Sequence, residues 1–379
     1  MSKIYLPYAS QFDLMNENLA KIANAISSDI DLSTWAGIQK AVRVGVAPDL
    51  LPVGTQLVVS HSVYGEKLYD VVAHNYLKSA HDENAHTMTL MSHDNLAQVQ
   101  FDAPEAFYCP DDYVTSGDYN FTIPTTYSSW VAGTYKFTLG SDHPGGARFC
   151  LSGSANTAIT SLKVNVFDDP NSTTPTESVA ITGGSDYDGT NLGTFGVELN
   201  HVHRVSDGSN NYRESAIRQF LNSSSTAGNV WKPQTKFDRP PSWKDTLAGF
   251  AGGFDDEFLS VVGEVVVPCA ANNTYELPTS TTVKGAKYTV TDKFYLASQR
   301  EIFGTASDVV DDGSTQFPYY EGAMNPDRIK YRDGAAAVWW SRSANAWYSN
   351  NVRTVHSDGS LFSGEVRVSF GFAPVCTIV

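Results

Sequence analysis

Several groups of side chains have types that could do chemistry. Asp255, Asp256 and Glu257 are consecutive carboxylates, the residue type of glycoside hydrolysis. Adjacent residues do not face one another across a sugar, so the run lacks the geometry of a hydrolase. His201 and His203 alternate on a stretch that reads as a strand and could share a metal, yet two histidines fall short of a coordination set. Asp311, Asp312 and Asp327 offer hard oxygens of the kind calcium takes; acidic loops are more often simply solvated. Cys109, Cys150, Cys269 and Cys376 are far apart with no CxxC pair, which argues against a zinc site and reads as free buried thiols. No GxSxG, HExxH, P-loop or Rossmann string is present. The chain does not read as an enzyme, and no cofactor or metal is called for.

Non-covalent chemistry is better represented, in residues 338–376. Gly359, Gly371 and Pro374 are turn and backbone residues. Trp339, Trp340, Val352 and Val355 are expected to face inward. Between these fixed points lie Ala346, Trp347, Tyr348, Asn350, Asn351, Thr354 and His356. A second group is Phe362, Ser363, Gly364, Glu365, Arg367, Val368 and Phe370. Both groups mix aromatic, small and charged types with no periodic reason for burial. Aromatic and arginine side chains on a rigid backbone are the material of binding hot spots. The competing reading makes Trp347, Phe362 and Phe370 core aromatics, and Asn350 and Asn351 plain turn residues.

Residues 10–28 read as a helix with Met15, Leu19, Ile22 and Ile26 at heptad-like spacing. A second helix is expected over 31–46, capped by Asp31 or Ser33, with Trp35, Ile38, Ala41 and Val42 on one face and Ala47-Pro48 breaking it. From Leu51 the period changes to two. TQLVVSHSV and KLYDVVAHNYL pair around a turn at Tyr64-Gly65-Glu66, and HTMTLMSH follows as a third strand. The Thr-, Ser- and Gly-rich stretch 112–199 reads as an all-β insertion. Residues 208–223 turn helical, with Ser209 or Asn211 as cap. LSVVGEVVVPC and KYTVTDKFYLAS read as strands, and Ser298 with Glu301 opens a helical turn.

The chain has 379 residues, 26 basic against 41 acidic, for a net charge of −15. That charge argues against nucleic acid and anionic membrane surfaces as partners, because both need a basic footprint. No stretch has the length of apolar residues that a membrane span needs, and the start, MSKIYLPYASQFD, does not read as a signal peptide.

The frame WWSRSA, NNVRTV, SDGSL and SFGFAPVC, within 338–376, resembles the C-terminal part of C-type-lectin-fold proteins. It is most similar to the variable proteins of diversity-generating retroelements, among them phage tropism determinants. YRESAIRQFLN, DKFYLASQREIFG, GTQLVVSH and YDVVAHNYL resemble further parts of the same domain in the expected order. The leading segment resembles N-terminal parts of gut-phage tail proteins. The resemblance implies an α+β chain: a C-type lectin fold over 51–111 and 200–379, a β-rich insertion at 112–199, and an N-terminal helical attachment or oligomerisation segment at 1–50. It implies a homotrimeric phage tail-fibre receptor-binding protein, made in the bacterial cytoplasm and carried on the virion. Such a protein would bind a bacterial surface protein or glycan through the two residue groups above.

A fixed-sequence bacterial surface adhesin or structural tail subunit is the alternative. The Glu-Pro-Asn and Trp-Asn-Asp signatures of calcium-dependent sugar binding are absent. The two-cysteine chemistry of formylglycine-generating enzymes, which share this fold, has only Cys376 to draw on. Hypermutation in the family acts on adenines, largely in Asn codons, and those codons end in a pyrimidine. Trp347 and Glu365 therefore do not derive from Asn codons by that route: either the template codons differ there, or the chain is a relative without a retroelement.

Overall fold

The computed structural model describes residues 30–183, 193–197, 202–272 and 285–379. The expected helix over 10–28 and His201 lie outside them. Helix α1 (Trp35–Arg43) buries Ile38, Ala41 and Val42. Its cap is Thr34, whose hydroxyl accepts from Gly37 N; Asp31 is instead occupied with the backbone and hydroxyl of Ser33. Pro48 does not end helical structure but opens the four-residue α2 (Ala47–Leu50), since its fixed φ suits a first turn. The buried face of α1 belongs to the main core, so residues 35–50 fold onto the domain rather than standing apart from it.

Strands β1 (Gln56–His61) and β2 (Gly65–His74) form the expected hairpin, with Val58 opposite Leu68 and Gly65 in the left-handed region at φ 71°. They are followed by β3 (Met88–Ser92) and β4 (Gln98–Gln100). The described part of the insertion is β-rich, with one 3-10 turn at Ile159–Ser161. It contains β5 (Gly117–Ile123), β6 (Gly133–Leu139), β7 (Arg148–Leu151), β8 (Lys163–Phe167), β9 (Glu177–Ala180), β10 (Thr182–Gly183) and β11 (Gly193–Gly196). They form one sheet ordered β10-β6-β5-β11 and another ordered β7-β8-β9. Phe121, Trp130, Phe137, Phe149, Val164 and Phe195 fill the space between them. This second core also takes in Phe107, Val202 and Val205, so it extends past the expected 112–199 on both sides.

Helices α3 (Val202–Asp207), α4 (Ala216–Leu221) and α5 (Asp256–Val261) come next. Ser215 caps α4, not Ser209 or Asn211, and Asp255 caps α5, so the acidic run opens a helix. Then follow β12 (Val265–Ala270), β13 (Lys287–Asp292), β14 (Phe294–Leu296) and α6 (Gln299–Phe303). The last takes the predicted Ser298–Glu301 capping box and ends on left-handed Gly304. The chain finishes with β15 (Lys330–Arg332), β16 (Ala335–Ala337), β17 (Trp339–Ala344), β18 (Asn351–Val355), β19 (Leu361–Glu365), β20 (Ser369–Gly371) and β21 (Pro374–Ile378).

The architecture is α+β. One five-stranded sheet is ordered β1-β2-β3-β21-β14 and a second β19-β18-β17-β20-β4. β21 is buried at all five positions between β3 and β14. All four cysteines are buried and free, and burial pushes the Cys109 thiol up to about 12. Behind β17, Arg342 makes a two-pronged pair with Glu301 and reaches Asp312 at 3.3 Å. Burial opposes that charge, and the Glu301 carboxylate more than offsets it, holding the guanidinium protonated. Among the described residues no helix is long and apolar enough to cross a membrane.

Candidate functional site

The second sheet presents the C-terminal residues. β18 and β19 pair with Asn351 opposite Glu365, Arg353 opposite Ser363, and Thr354 opposite Phe362. Opposed residues share a face. Trp340 lies opposite Thr354, so Trp340, Val352, Thr354, Phe362 and Gly364 line one side. That side is mostly core. A Cβ on Gly364 would come within 2.3 Å of the Phe370 ring, which packs 4.8 Å from Trp340.

Four of the expected contact residues are therefore corrected. Thr354 is 0% exposed and Asn350 2%. Gly364 is buried because Trp340 and Phe370 occupy the space a side chain would need, and Phe370 is a partly buried core aromatic. Phe362 is 52% exposed because β19 is the sheet edge; its ring lies 5.4 Å from His356, making a small outlying pair. The opposite side carries a polar network. Arg353 donates to Gln299 Oε1 at 3.1 Å and to Ser363 Oγ at 2.7 Å, and Asn345 donates to the same hydroxyl. Val368 is half-buried.

The loop between β17 and β18 holds Ala346, Trp347 and Tyr348. Asn210 clasps it from below. Its amide lies 3.2, 2.8 and 2.9 Å from the carbonyls of Asn345, Tyr348 and Asn351, and its backbone N–H donates to Ser349 O. Asn272 gives the Asn345 carbonyl a further donor. On the flank, Asp308 accepts from the Ala346 N–H through its carbonyl and from the Trp347 indole through its carboxylate. Trp347 is thus half-buried and oriented, while Tyr348 is 39% exposed.

Two side chains from outside the predicted set complete the row. His203 lies on α3, not on a strand. Its ring is 5.8 Å from Tyr348 and 3.6 Å from Tyr127 of the insertion. The rings therefore run from the C-terminal loop across α3 to the insertion. Beside them Arg367 bridges Glu365, at 2.7 Å, and the buried carboxylate of Asp207. Asp207 also accepts from Ser206 Oγ and from Asn350 Nδ2, which is the role Asn350 has in place of ligand contact. Burial and then the neighbouring Asp207 raise the Glu365 carboxyl above its ordinary range, with Arg367 opposing.

Nothing in the local sequence marked Tyr127. Arg353 was detectable, since it alternates with Asn351 on one strand. The other candidate groups separate. Asp311 turns to Arg300, Asp312 to Ser314 and Arg342, and Asp327 to the Met324 backbone. Among the described residues no group of three or more His, Cys, Asp or Glu is placed to hold a metal.

The class this architecture defines is an α+β chain with a β insertion and a clasped aromatic loop on its C-terminal sheet. Residues 186–379 match the family model described as a domain of unknown function, DUF6273, and the chain belongs to that family. No curated protein and no solved structure matches it.

Proposed function

We propose that the chain is a receptor-binding protein of C-type-lectin type, carried as a trimer on a phage tail fibre and diversified by a retroelement. It recognises a bacterial surface protein or glycan reversibly through its C-terminal loop. The observation that carries this is the pairing of part-exposed aromatic rings, Trp347 and Tyr348, with a loop backbone fixed by Asn210. A ring that needs no ordering on contact keeps most of its burial energy for binding. We centre the proposed surface on the loop. Trp347, Tyr348, Asn351, Glu365 and Arg367 group with His203 and Tyr127, whereas Phe362 and His356 lie at the far edge. The frame WWSRSA to GFAPVC supports the C-type-lectin assignment.

The test is binding of the purified protein to a panel of gut bacterial cells. Trp347→Ala/Tyr348→Ala is compared with Phe362→Ala, with thermal melting as the folding control. Loss of binding at an unchanged melting temperature in the first variant, with Phe362→Ala near wild type, supports the reading. Full binding by Trp347→Ala/Tyr348→Ala sinks it.

A further inference from the structure

A cleft lies where the insertion meets residues 109–111 and 233–236. Arg148, the first residue of β7, is 1% exposed. Its guanidinium donates to two main-chain carbonyls, Asp238 O at 2.7 Å and Ser172 O at 3.5 Å, while Nε has no partner. Among the described residues no carboxylate lies within ion-pair distance of it. A buried charge without a counter-charge is costly, and proteins normally pair it. The nearby carboxylates make their hydrogen bonds elsewhere, and Asp169 attracts the guanidinium only from beyond ion-pair distance. Asp238 accepts from Thr235 N and Oγ1 and from Gln234 N, and Asp169 accepts from Asn171 N.

Positive charge accumulates around this residue. The guanidinium carbons of Arg148 and Arg239 each lie 5.3 Å from the centre of the Phe167 ring. Arg239 has a distant carbonyl contact, Leu151 O at 3.4 Å. Arg148 forms part of the wall of a cleft of about 410 Å³, whose rim carries Lys236 and the paired glycines Gly145 and Gly146. The one carboxylate lining it is Asp111, 91% exposed and 3.4 Å from Lys236, an arrangement worth little in water. In a chain of net charge −15, Arg148 and Lys236 line this cleft together, while Arg239, across the Phe167 ring, lines a neighbouring one.

We propose that this cleft binds an oxyanion, a carboxylate or phosphate on a small soluble ligand, with Arg148 as the counter-charge and Lys236 at the mouth. With the terminal nitrogens already donating to the Asp238 and Ser172 carbonyls, the Nε–H is the donor left for one oxygen of either group, and the delocalised charge attracts both. The proposal does not depend on the function of the C-terminal loop.

The test is calorimetric titration of the full chain with inorganic phosphate, with glucuronate, and with glucose as the uncharged match to glucuronate. The expected result is heat of binding for at least one anion and none for glucose. Phosphate alone assigns free phosphate, and glucuronate alone assigns an acidic sugar. Lys236→Glu should weaken the bound anion about fivefold or more, the scale of losing one partly solvated charge contact and adding a repulsive one. Its side chain is exposed, so the fold should be unaffected. Arg148→Met should abolish binding; should it fail to fold, Lys236→Glu decides alone. Absence of binding by either anion at millimolar concentration overturns the proposal, as does unchanged affinity in Lys236→Glu.

Discussion

Replacing Arg342 by methionine should destabilise the chain strongly, because of what it leaves behind. The guanidinium and the Glu301 carboxylate are both fully buried, and Asp312 nearly so. Arg342 also donates to Leu296 O at 2.8 Å and Pro268 O at 2.9 Å. Without it, Glu301 keeps only Ser298 N and Tyr76 OH among the donors described, and two carbonyls lose theirs. Breaking a buried pair on one side costs about 3–5 kcal/mol, most of it the stranded charge. At about 2–4 °C per kcal/mol for chains of a few hundred residues, the melting temperature should fall by roughly 10 °C. The companion variant, Arg342→Met/Glu301→Leu, removes both charges and should recover most of the loss. Asp312 stays satisfied there by Ser314 N and Oγ. Calorimetric melting of wild type, Arg342→Met, Glu301→Leu and the double variant closes the double-mutant cycle. If Arg342→Met costs less than about 1 kcal/mol, or the double variant is worse than the single, the charge-stranding argument is wrong.

Lys330 gives a pH signature. Burial depresses its ammonium from 10.5 to about 8, while Nζ donates to Ser92 O and His93 O. Between pH 8 and 10.5 the unfolded chain holds the proton and the folded chain does not, so this group adds stability as pH rises and the gain is lost as pH falls through 8. Relative to Lys330→Met, wild-type unfolding free energy should gain about 1.5 kcal/mol from pH 8 to 9.5 in urea titrations; a constant difference would contradict this. His143 in the insertion is fully buried, with Asp168 2.8 Å from Nδ1 and Glu177 2.9 Å from Nε2. His143→Phe removes the imidazole that bridges the two carboxylates; Glu177 keeps the Gly140 and Ser141 N–H groups and Asp168 is partly solvated, so the cost should be about 1–2 kcal/mol, read as faster amide exchange in β8 and β9 and little change in β17 and β18. Asn210→Ala removes the side-chain part of the loop clasp and leaves the backbone bond to Ser349 O. It should cost about 2 kcal/mol in stability and weaken cell binding, since the loop must then be ordered on contact; unchanged cell binding would show that the clasp does not serve recognition.

Much of the fold was legible where one period dominates. The β1–β2 hairpin, the strand within HTMTLMSH that follows it and the Ser298–Glu301 box follow from alternation and capping chemistry. The misses have local causes. Asp255 caps a helix at the head of what reads as one long strand, because LSVV suits either conformation. His203 reads as strand because two histidines alternate, yet Val202 and Val205, three apart, turn one side of a helix into the insertion core. At the site, the exposed rings on the loop could be read from the sequence, but which way each strand residue points could not. That depended on Trp340 and Phe370 filling the space above Gly364. Tyr127 reaches the row through tertiary packing alone.

The Asn210 clasp acts on main-chain atoms. Its amide meets the carbonyls of residues 345, 348 and 351, and its own N–H meets that of 349. None of these bonds depends on which side chain sits at 346, 347 or 348. The shape of the loop is thus decoupled from its chemistry. Those positions can be exchanged one for another while the strands on either side keep their register, and a new set of contacts would arrive on a frame that needs no re-engineering.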